Sequence, residues 1–211
     1  RRQLTGASPL IELPLDHPRP DVQSTSGGIT DVHINQALAK KLKQLSQENR
    51  TTLFMTMLAG LKILFSKLSG QQDIVIGAPI AGRNRFETEA LNGFFVNALV
   101  LRSDLYGTPS FNDVLQRVRT TTLDAYAHQD IPFELLVSEL QPERDTSHSP
   151  LFQVAFSVET AAPEPVRFDE LESEYAPSDA GTTSHELVFL LWDIDDEIRG
   201  SVRYSSDLFN A

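Results

Sequence analysis

The sequence predicts an α/β domain. Two observations lead to this prediction: apolar residues recur at helical spacing in several segments, and short runs rich in β-branched and aromatic residues lie between those segments, as in strands. Because the two kinds of segment alternate along the 211-residue chain, a mixed architecture is favoured. The 40% of hydrophobic and 22% of charged residues are typical of an ordinary soluble globular domain.

The beginning of the chain divides into an arm and a strand. Residues 1–28 are predicted to form an extended arm along a surface, because three prolines fall between Pro14 and Pro20, and each fixes φ and lacks a backbone donor. Residues 29–34 alternate between apolar and polar side chains, which favours a strand.

Two helices are predicted next. Asn35 suits the cap of a helix that ends near Asn49. A second helix is predicted from about Thr52 to Gly70, where glycine allows a left-handed end. Apolar residues cover much of the circumference of this second helix, so we expect it to be central and mostly buried.

Strands and helices continue to alternate in the rest of the chain. Residues 73–82 are predicted to form a buried strand, and residues 83–93 a loop. Ser110 suits a helix cap, with Asp113 in the first turn. The remaining predicted elements are a strand over 94–105, a long helix over 110–127, a short helix over 132–140, a strand over 151–158, an edge strand over 168–175, and two strands over 185–206 joined by a turn at Asp195 and Asp196.

The charge and the cysteine content exclude several classes of function. The net charge of −11 is unfavourable for nucleic-acid binding, because phosphate contacts need clustered basic residues. The lysines between Lys40 and Lys43 follow a helical pattern and are read as a solvated face. The absence of cysteine excludes disulfides, thiolate nucleophiles and cysteine zinc sites, and it fits a cytoplasmic protein.

No export signal or membrane span is predicted. The first residues are polar and Pro-rich, without the apolar region of a signal peptide. No apolar run reaches the roughly 18 residues that a membrane span needs. Because the chain does not begin with Met, we expect it to be a piece of a longer protein.

Motifs for metal, hydrolase and nucleotide chemistry do not occur in the sequence. There is no G-x-S-x-G elbow, Walker A sequence or G-x-G-x-x-G loop after a strand. The glycines of GAPIAG at residues 77–82 are better explained by a tight turn after a strand. The histidines are scattered without metal-ligand spacing, at His17, His33, His128, His148 and His185. We therefore expect no metal site.

His128 is the strongest single catalytic candidate. It lies at the predicted C-terminal end of a helix, where the helix dipole favours a protonated imidazole, and Asp130 could pair with it. A structural role is nevertheless favoured. Pro132 suits the first turn of the next helix, and Asp130 can accept a hydrogen bond from the free N–H groups of that helix. The segment would then satisfy the ends of two consecutive helices.

Residues 143–152 raise the same choice between catalysis and structure. Arg144 and Asp145 could form an ion pair, Pro150 a turn, and Phe152 an anchor in the core. The structural interpretation is again favoured.

Three segments together resemble the condensation domains of nonribosomal peptide synthetases. GFFVNALVLR at residues 93–102, HQDIPFE at 128–134 and RDTSHSPLF at 144–152 are similar to the last three core motifs of that family, in the family's order and with plausible spacing. LPLDHPRP and DIVIGAPIAGRNR also resemble the interior of such domains, so the resemblance covers essentially the whole chain. It covers only the second half of a domain, because the HHxxxDG motif with the family's catalytic histidine does not occur here.

The resemblance implies a chloramphenicol-acetyltransferase-like mixed sheet flanked by helices, one lobe of a two-lobe domain. Residues 1–28 would be the inter-lobe lead-in, and residues 29–211 the C-terminal lobe. In the family, the domain joins an acyl or peptidyl thioester to the amine of an aminoacyl thioester. Both substrates hang on phosphopantetheine arms of carrier proteins, and the arms enter a tunnel between the lobes. The implied partners are the N-terminal lobe and the donor and acceptor carrier proteins. No cofactor would bind directly, and this chain alone is expected to be inactive.

The motif match also implies roles for individual residues. Asn97, Gly93 and Val96 would lie at the substrate tunnel, where an amide can orient a thioester or an amine. Arg83 or Arg85 would meet the phosphate of a carrier arm. The matched residues that we expect to be mainly structural are His128, Asp130, Pro132, Phe133, Arg144, Asp145, Pro150 and Phe152.

One departure and two alternatives stay open. Where the family often has FDL before a late strand, this chain has His185 and Glu186. The chain could instead be a non-catalytic lobe that docks a carrier protein or a tailoring enzyme, or a relative that cyclises or epimerises. Residues upstream of Arg1 would decide: an intact HHxxxDG supports condensation, a degraded one docking, and DxxxxD cyclisation. The face meant for the other lobe is expected to be partly apolar, so the isolated lobe can self-associate.

Overall fold

The computed structural model describes residues 3–83, 86–89, 91–143, 145–160 and 180–211. The strands in these residues are β1 (Gly27–Ile34), β2 (Asp73–Ile80), β3 (Asn97–Asp104), β4 (Val154–Glu159), β5 (Leu187–Ile194) and β6 (Glu197–Ser205). The helices are α1 (Gln36–Glu48), α2 (Leu53–Ser69), α3 (Phe86–Glu89), α4 (Phe111–Tyr126) and α5 (Phe133–Leu140).

The strands form one mixed sheet in the order β1-β6-β5-β4-β2-β3. Most neighbours are antiparallel, and β4 pairs in parallel with β5 on one side and with β2 on the other. The pairing of β2 with β4 is short: Gly77 lies opposite Ala155. A mixed sheet with helices against it confirms the predicted α/β class.

One face of the sheet carries the main core. Helices α1, α2 and α4 pack there, and their apolar side chains meet those of the strands. The buried residues from both layers include Leu58, Phe65, Ile76, Leu101 and Phe156. This face therefore fixes how β2 and β3 lie against the helices.

The opposite face carries a smaller core. Successive side chains of a strand point to opposite faces of the sheet, so Val75 and Val100 lie behind the main core. They form a second buried cluster with Phe152 and Ala155, and Phe133 of α5 packs against it. Helix α5 therefore covers part of this second face.

Local signals place the helix ends as predicted. The side chains of Asn35 and Thr52 accept hydrogen bonds from the third residues of α1 and α2. Ser110 and Asp113 form a reciprocal capping box on α4, and these hydrogen bonds from Ser110 hold the pKa of the Asp113 carboxyl below its usual value. Gly70 ends α2 with a left-handed φ of 73°.

The turn between the last two strands is also confirmed. Asp195 and Asp196 have φ values of 51° and 64°. Two consecutive positive φ values give the type of hairpin turn whose twist matches that of its strands, and aspartate tolerates this conformation.

Helix α2 is mostly buried, as predicted, since only four of its 17 residues are exposed. Met55, Leu58 and Phe65 are buried, whereas Leu64 and Leu68 are about half exposed, at 49% and 50%. A helix that lies on a sheet keeps an outer side in contact with solvent, and apolar residues there do not require a partner.

Strand β3 is shorter than predicted. It begins at Asn97, and Phe94, whose aromatic ring favoured a strand, lies in the preceding loop and is 90% exposed. The predicted loop over 83–93 contains the short helix α3. The edge strand predicted over 168–175 lies outside the described residues.

The arm is bound to the domain at several points. The side chain of Gln153, which is buried, accepts from the N–H of Ile11 and donates to the carbonyl of Pro9. The side chain of Gln71 accepts from the N–H of Glu12 and donates to the carbonyl of Leu10. The backbone of the arm is therefore held by side chains of the domain. Its role as an inter-lobe segment stays a prediction.

Within the described part of the chain, no single helix is long and apolar enough to cross a membrane. Helices α1 and α2 reach the required length and composition only when taken together, and they are bent by 103°.

Candidate functional site

Asn97, the first residue of β3, has a fully hydrogen-bonded side chain. Its Nδ2 donates to the carbonyl oxygens of Gln129 at 2.9 Å and Ile131 at 2.8 Å. Its Oδ1 accepts from the N–H of Ala98 at 2.9 Å and of Phe133 at 3.0 Å. Two donors and two acceptor positions are all that an amide side chain offers. Asn97 therefore ties the start of β3 to the junction of α4 and α5.

This arrangement adds an acceptor from another element to the start of α5. The residue before the helix is Pro132, which makes no side-chain cap. The N–H of Phe133 donates to Oδ1 of Asn97, while the hydrogen bond of this helix end to Asp130 stays a prediction. Helix ends leave backbone groups without partners inside the helix, and here they are satisfied by a residue from another element.

His128 lies in the same junction and is exposed. Its backbone N–H donates to the carbonyl of Ala125 at 3.0 Å. Its Nδ1 lies 2.8 Å from the carbonyl oxygen of Asp124, and because a carbonyl only accepts, Nδ1 is the donor. The imidazole is thus bound to its own helix end, which favours the structural interpretation.

Arg83, a predicted phosphate contact, binds its own loop. Its guanidinium donates to the carbonyl oxygens of Leu91 at 2.7 Å and Gly93 at 3.2 Å, and to that of Thr88. It also lies 4.4 Å above the ring of Phe95. Arg83 therefore shapes the loop that leads to Asn97. The second predicted phosphate contact, Arg85, lies outside the described residues.

Large apolar side chains are exposed on the segments that Asn97 joins. Phe94 is 90% exposed, and Val96 is 53% exposed. Across the junction, Ile131 and Leu135 are 46% and 51% exposed. We call these four residues the apolar rim. All four lie on the two segments that Asn97 joins, which makes them candidates for a contact surface.

Two further motif residues meet in the second core. The ring of Phe152 lies edge-on to that of Phe133, with centroids 5.4 Å apart, and is stacked on His185 at 5.0 Å. A Cβ on Gly77 would overlap the Phe152 ring, so glycine is required beneath it. Burial lowers the pKa of His185. The predicted motif residues Phe133 and Phe152 therefore act together in packing.

Asp145 organises its own loop. Its Oδ1 accepts from the N–H of Ser147 at 2.7 Å, and the hydrogen bonds from Ser147 lower the pKa of this carboxyl. The ring of His148 lies 3.5 Å from its Oδ2. Together with Pro150, Asp145 and His148 line a cleft of about 830 Å³ beside α5. The predicted ion-pair partner Arg144 lies outside the described residues.

The unusual His185-Glu186 pair has a structural explanation. Glu186 is 2% exposed and binds Arg19 of the arm through two hydrogen bonds of 2.6 and 3.1 Å. A two-pronged pair of this kind is geometrically specific. The departure from the family pattern therefore supplies an anchor for the arm.

Sequence reasoning missed the role of Lys62. Its side chain is completely buried, and Nζ lies 3.2 Å from the carbonyl oxygen of Ile74, 2.6 Å from that of Leu101 and 2.8 Å from Oγ of Ser103. The available signal was the position of Lys62 inside the apolar run from Leu53 to Phe65. In the described residues, no group of three or more histidine, aspartate or glutamate side chains is placed to hold a metal ion.

Comparison with known proteins points to the same family as the sequence motifs. The family model described as Condensation domain matches residues 1–211. A linear gramicidin synthase polypeptide of Brevibacillus parabrevis is 55% identical over 156 residues, which are 74% of this chain and 3% of that protein. Malpinin synthetase of Mortierella alpina is 43% identical over 210 residues, which are 100% of this chain and 3% of that protein. The chain thus spans only a small fraction of these relatives.

Solved structures share the fold. A four-domain nonribosomal peptide synthetase bound to AMP and glycine matches with a TM-score of 0.91 and 26% identity, over 100% of this chain and 17% of that chain. The X-domain from teicoplanin biosynthesis matches with a TM-score of 0.92 and 25% identity, over 99% of this chain and 48% of that chain. These similarities confirm the expected chloramphenicol-acetyltransferase-like fold.

Proposed function

Since this chain belongs to the condensation domain family of nonribosomal peptide synthetases, we propose that it is the C-terminal lobe of a domain that forms amide bonds. The donor is an acyl or peptidyl thioester and the acceptor an aminoacyl thioester, each on the phosphopantetheine arm of a carrier protein. The partners are the N-terminal lobe and the two carrier proteins. A cytoplasmic location stays a prediction.

The reaction needs alignment more than unusual chemistry. The acceptor amine attacks the thioester carbon, a C–N bond forms, the C–S bond breaks, and the proton lost by the amine is taken up by the departing sulfur. Holding two reactants in register accelerates such a step strongly. We assign no proton-transfer residue to this lobe, because the family's catalytic histidine belongs to a motif that the chain does not contain.

One observation carries the proposal. Asn97 joins the segment that contains Gly93 and Val96 to the segment from His128 to Phe133, so that two motifs of the family meet at one node. The apolar rim is exposed around this node. A wall of this kind suits a tunnel formed with a second lobe.

The hydrogen bonds refine the roles proposed for individual residues. Because the amide of Asn97 is fully engaged, we propose that it holds the tunnel wall, while Gly93 and Val96 face the substrate. Because Arg83 donates to its own loop, we propose that it fixes this wall instead of binding phosphate. Arg85 stays the candidate for the carrier-arm phosphate.

A second candidate function is a non-catalytic docking lobe. One solved structure similar to this chain, with 25% identity and a TM-score of 0.90, is a complex of the teicoplanin X-domain with OxyB. That X-domain is thus found in complex with a second protein. In this alternative, the apolar rim would bind a partner enzyme.

The deciding experiment assays the parent domain with a donor-loaded and an acceptor-loaded carrier protein, and detects the amide by mass spectrometry. Product formation that depends on both carriers is expected. No product, together with stable binding of a partner enzyme, would favour the docking alternative. The sequence upstream of Arg1 gives an independent check, through an intact or degraded HHxxxDG.

A further inference from the structure

Arg102, on the edge strand β3, uses its whole guanidinium to hold the beginning of the arm. Nε and Nη2 donate to the carboxylate of Asp73 at 2.8 to 3.1 Å. Nη1 donates to the carbonyl oxygens of Gln3 at 2.9 Å and Thr5 at 3.0 Å, and Nη2 also donates to that of Gly6 at 3.2 Å. All five N–H donors of the side chain are therefore occupied.

The held segment is a defined turn, residues 3–7, which we call the docked turn. The N–H of Ala7 donates to the carbonyl of Leu4 at 3.2 Å, and Gly6 adopts a left-handed φ of 72°. Leu4 and Ala7 pack against the smaller core behind the sheet. The side chain of Gln3 adds two long hydrogen bonds, to the carbonyl of Arg102 at 3.5 Å and to the hydroxyl of Thr121 at 3.4 Å. The docked turn is thus fixed mainly by its backbone through Arg102 and by apolar side-chain contact.

Only arginine can make this connection. A guanidinium presents donors in a fixed fork, so it reaches a carboxylate on one side and backbone oxygens on the other. A lysine ammonium keeps the charge but offers one point with three donors. It could pair with Asp73 or approach one carbonyl, but it could not bridge both sides. The contact with Asp73 in turn fixes the guanidinium on the β2–β3 pair.

We propose that Arg102 is a positioning residue that holds the connection between the two lobes at a fixed length and direction. This inference rests on the proposed function, in which residues 1–28 lead in from the other lobe. It adds a structural cause for the alignment that amide formation requires.

The size of the effect follows from the spacing of the anchors. The next points at which the domain holds the arm are the contacts of Gln71 and Gln153 with residues 8–12. Release of the docked turn would therefore free five more residues, which can extend by roughly 17 Å. A connection longer by this amount would let the two lobes move apart and rotate, so the donor and acceptor thioesters would no longer be aligned for reaction.

The test uses the parent domain with Arg102→Lys and, as a matched control, Arg119→Lys, which replaces an α4 arginine that donates to the carbonyl of Arg50. Three quantities are measured: amide hydrogen exchange in residues 3–10, the distribution of distances between spin labels in the two lobes, and the kcat and KM of condensation. For Arg102→Lys, we expect faster exchange at Ala7, a broader distance distribution and a kcat lower by about tenfold, with KM changed less than about twofold. Arg119→Lys should match the wild type.

A second variant disturbs the docked turn by a substitution within the turn itself. Nothing lies within 4 Å of a Cβ on Gly6, so a Cβ there meets no neighbour, and Gly6→Val acts by straining the left-handed backbone while both members of the Arg102–Asp73 pair are kept. It should reproduce the broader distances and the lower kcat. The double variant should be no worse than the more severe single variant, because both act through the docked turn. If Arg102→Lys fails to fold, Gly6→Val decides.

Unchanged inter-lobe distances in variants whose docked turn exchanges faster would overturn the proposal, as would unchanged exchange in residues 3–10. A parent domain that forms no amide would refute the proposed function instead. In that case the exchange and distance measurements still decide the role of Arg102.

Discussion

Lys62 donates from Nζ to the carbonyl oxygen of Leu101 over 2.6 Å, in the buried interior between α2 and the sheet. Burial lowers the pKa of Lys62 from its ordinary value of 10.5 to about 7, and the carboxylate of Asp73 opposes this shift. The site suits both protonation states. An ammonium donates to three acceptors, whereas a neutral amine donates to two carbonyls and accepts from the hydroxyl of Ser103.

We expect Lys62 to make the stability of the lobe depend on pH. Between about pH 7 and pH 10.5, the unfolded chain holds a proton that the folded chain has released, so the free energy of unfolding rises with pH by up to about 1.4 kcal/mol per unit. Urea unfolding at pH 7, 8 and 9 measures this slope. Lys62→Met should reduce it, whereas Lys67→Met, which alters an exposed lysine of α2, should leave it unchanged. Equal slopes in all three proteins would contradict the assignment.

Replacement of Asn97 should slow condensation by loosening the α4–α5 junction. Asn97→Ala removes the partners of two carbonyls and two N–H groups, and an unmade hydrogen bond at a buried site costs about 1 to 3 kcal/mol. Asn97→Asp is a matched variant of the same shape that keeps the acceptor and loses both donors. Turnover of the parent domain and hydrogen exchange in residues 127–133 are measured together. Normal turnover in both variants would remove Asn97 from the site.

The Arg19–Glu186 pair should contribute strongly to stability. Glu186→Gln leaves a largely buried guanidinium without its counter-charge, and the loss of one partner from a buried pair costs about 3 kcal/mol. Arg19→Met and the double variant complete a thermodynamic cycle by denaturant unfolding. A coupling energy of at least about 1 kcal/mol is expected, and additive effects would show that the two residues act separately.

The isolated lobe should self-associate through the apolar rim. Phe94 is the most exposed large apolar side chain in the described residues, at 90%. Light scattering over a range of concentrations should show an increase in mean mass. Phe94→Ser should reduce this increase, and Tyr106→Ser, which alters an exposed ring away from the rim, should not. A strict monomer at high concentration would exclude the prediction.

Features that depend on neighbouring residues could be predicted from the sequence. The caps at Asn35 and Ser110, the end of α2 at Gly70 and the turn at Asp195 all follow from local conformational preferences. The structural role of Phe152 was also expected, because an aromatic residue next to a proline turn suits an anchor.

Features that depend on distant residues could not be predicted. Asn97 caps a helix that begins 36 positions later, and no local pattern announces this. Lys62 finds its acceptors on β2 and β3, and Arg102 finds the arm, only after the sheet has formed. For the same reason, the family motifs marked Asn97 and Arg83 as candidates but did not show that both side chains are engaged within the chain.

The position of β1 at the end of the sheet has a consequence for synthesis. Its neighbour in the sheet is β6, so Gly27 pairs with Ser205 and Ile34 with Ile198. During translation, β1 leaves the ribosome before all the other strands, and it has no partner until β6 has been made. Such non-local pairing makes folding slow and leaves a strand open to aggregation in the meantime. A chain that stops before Glu197 would lack β6, and β1 would then have no neighbour in the sheet.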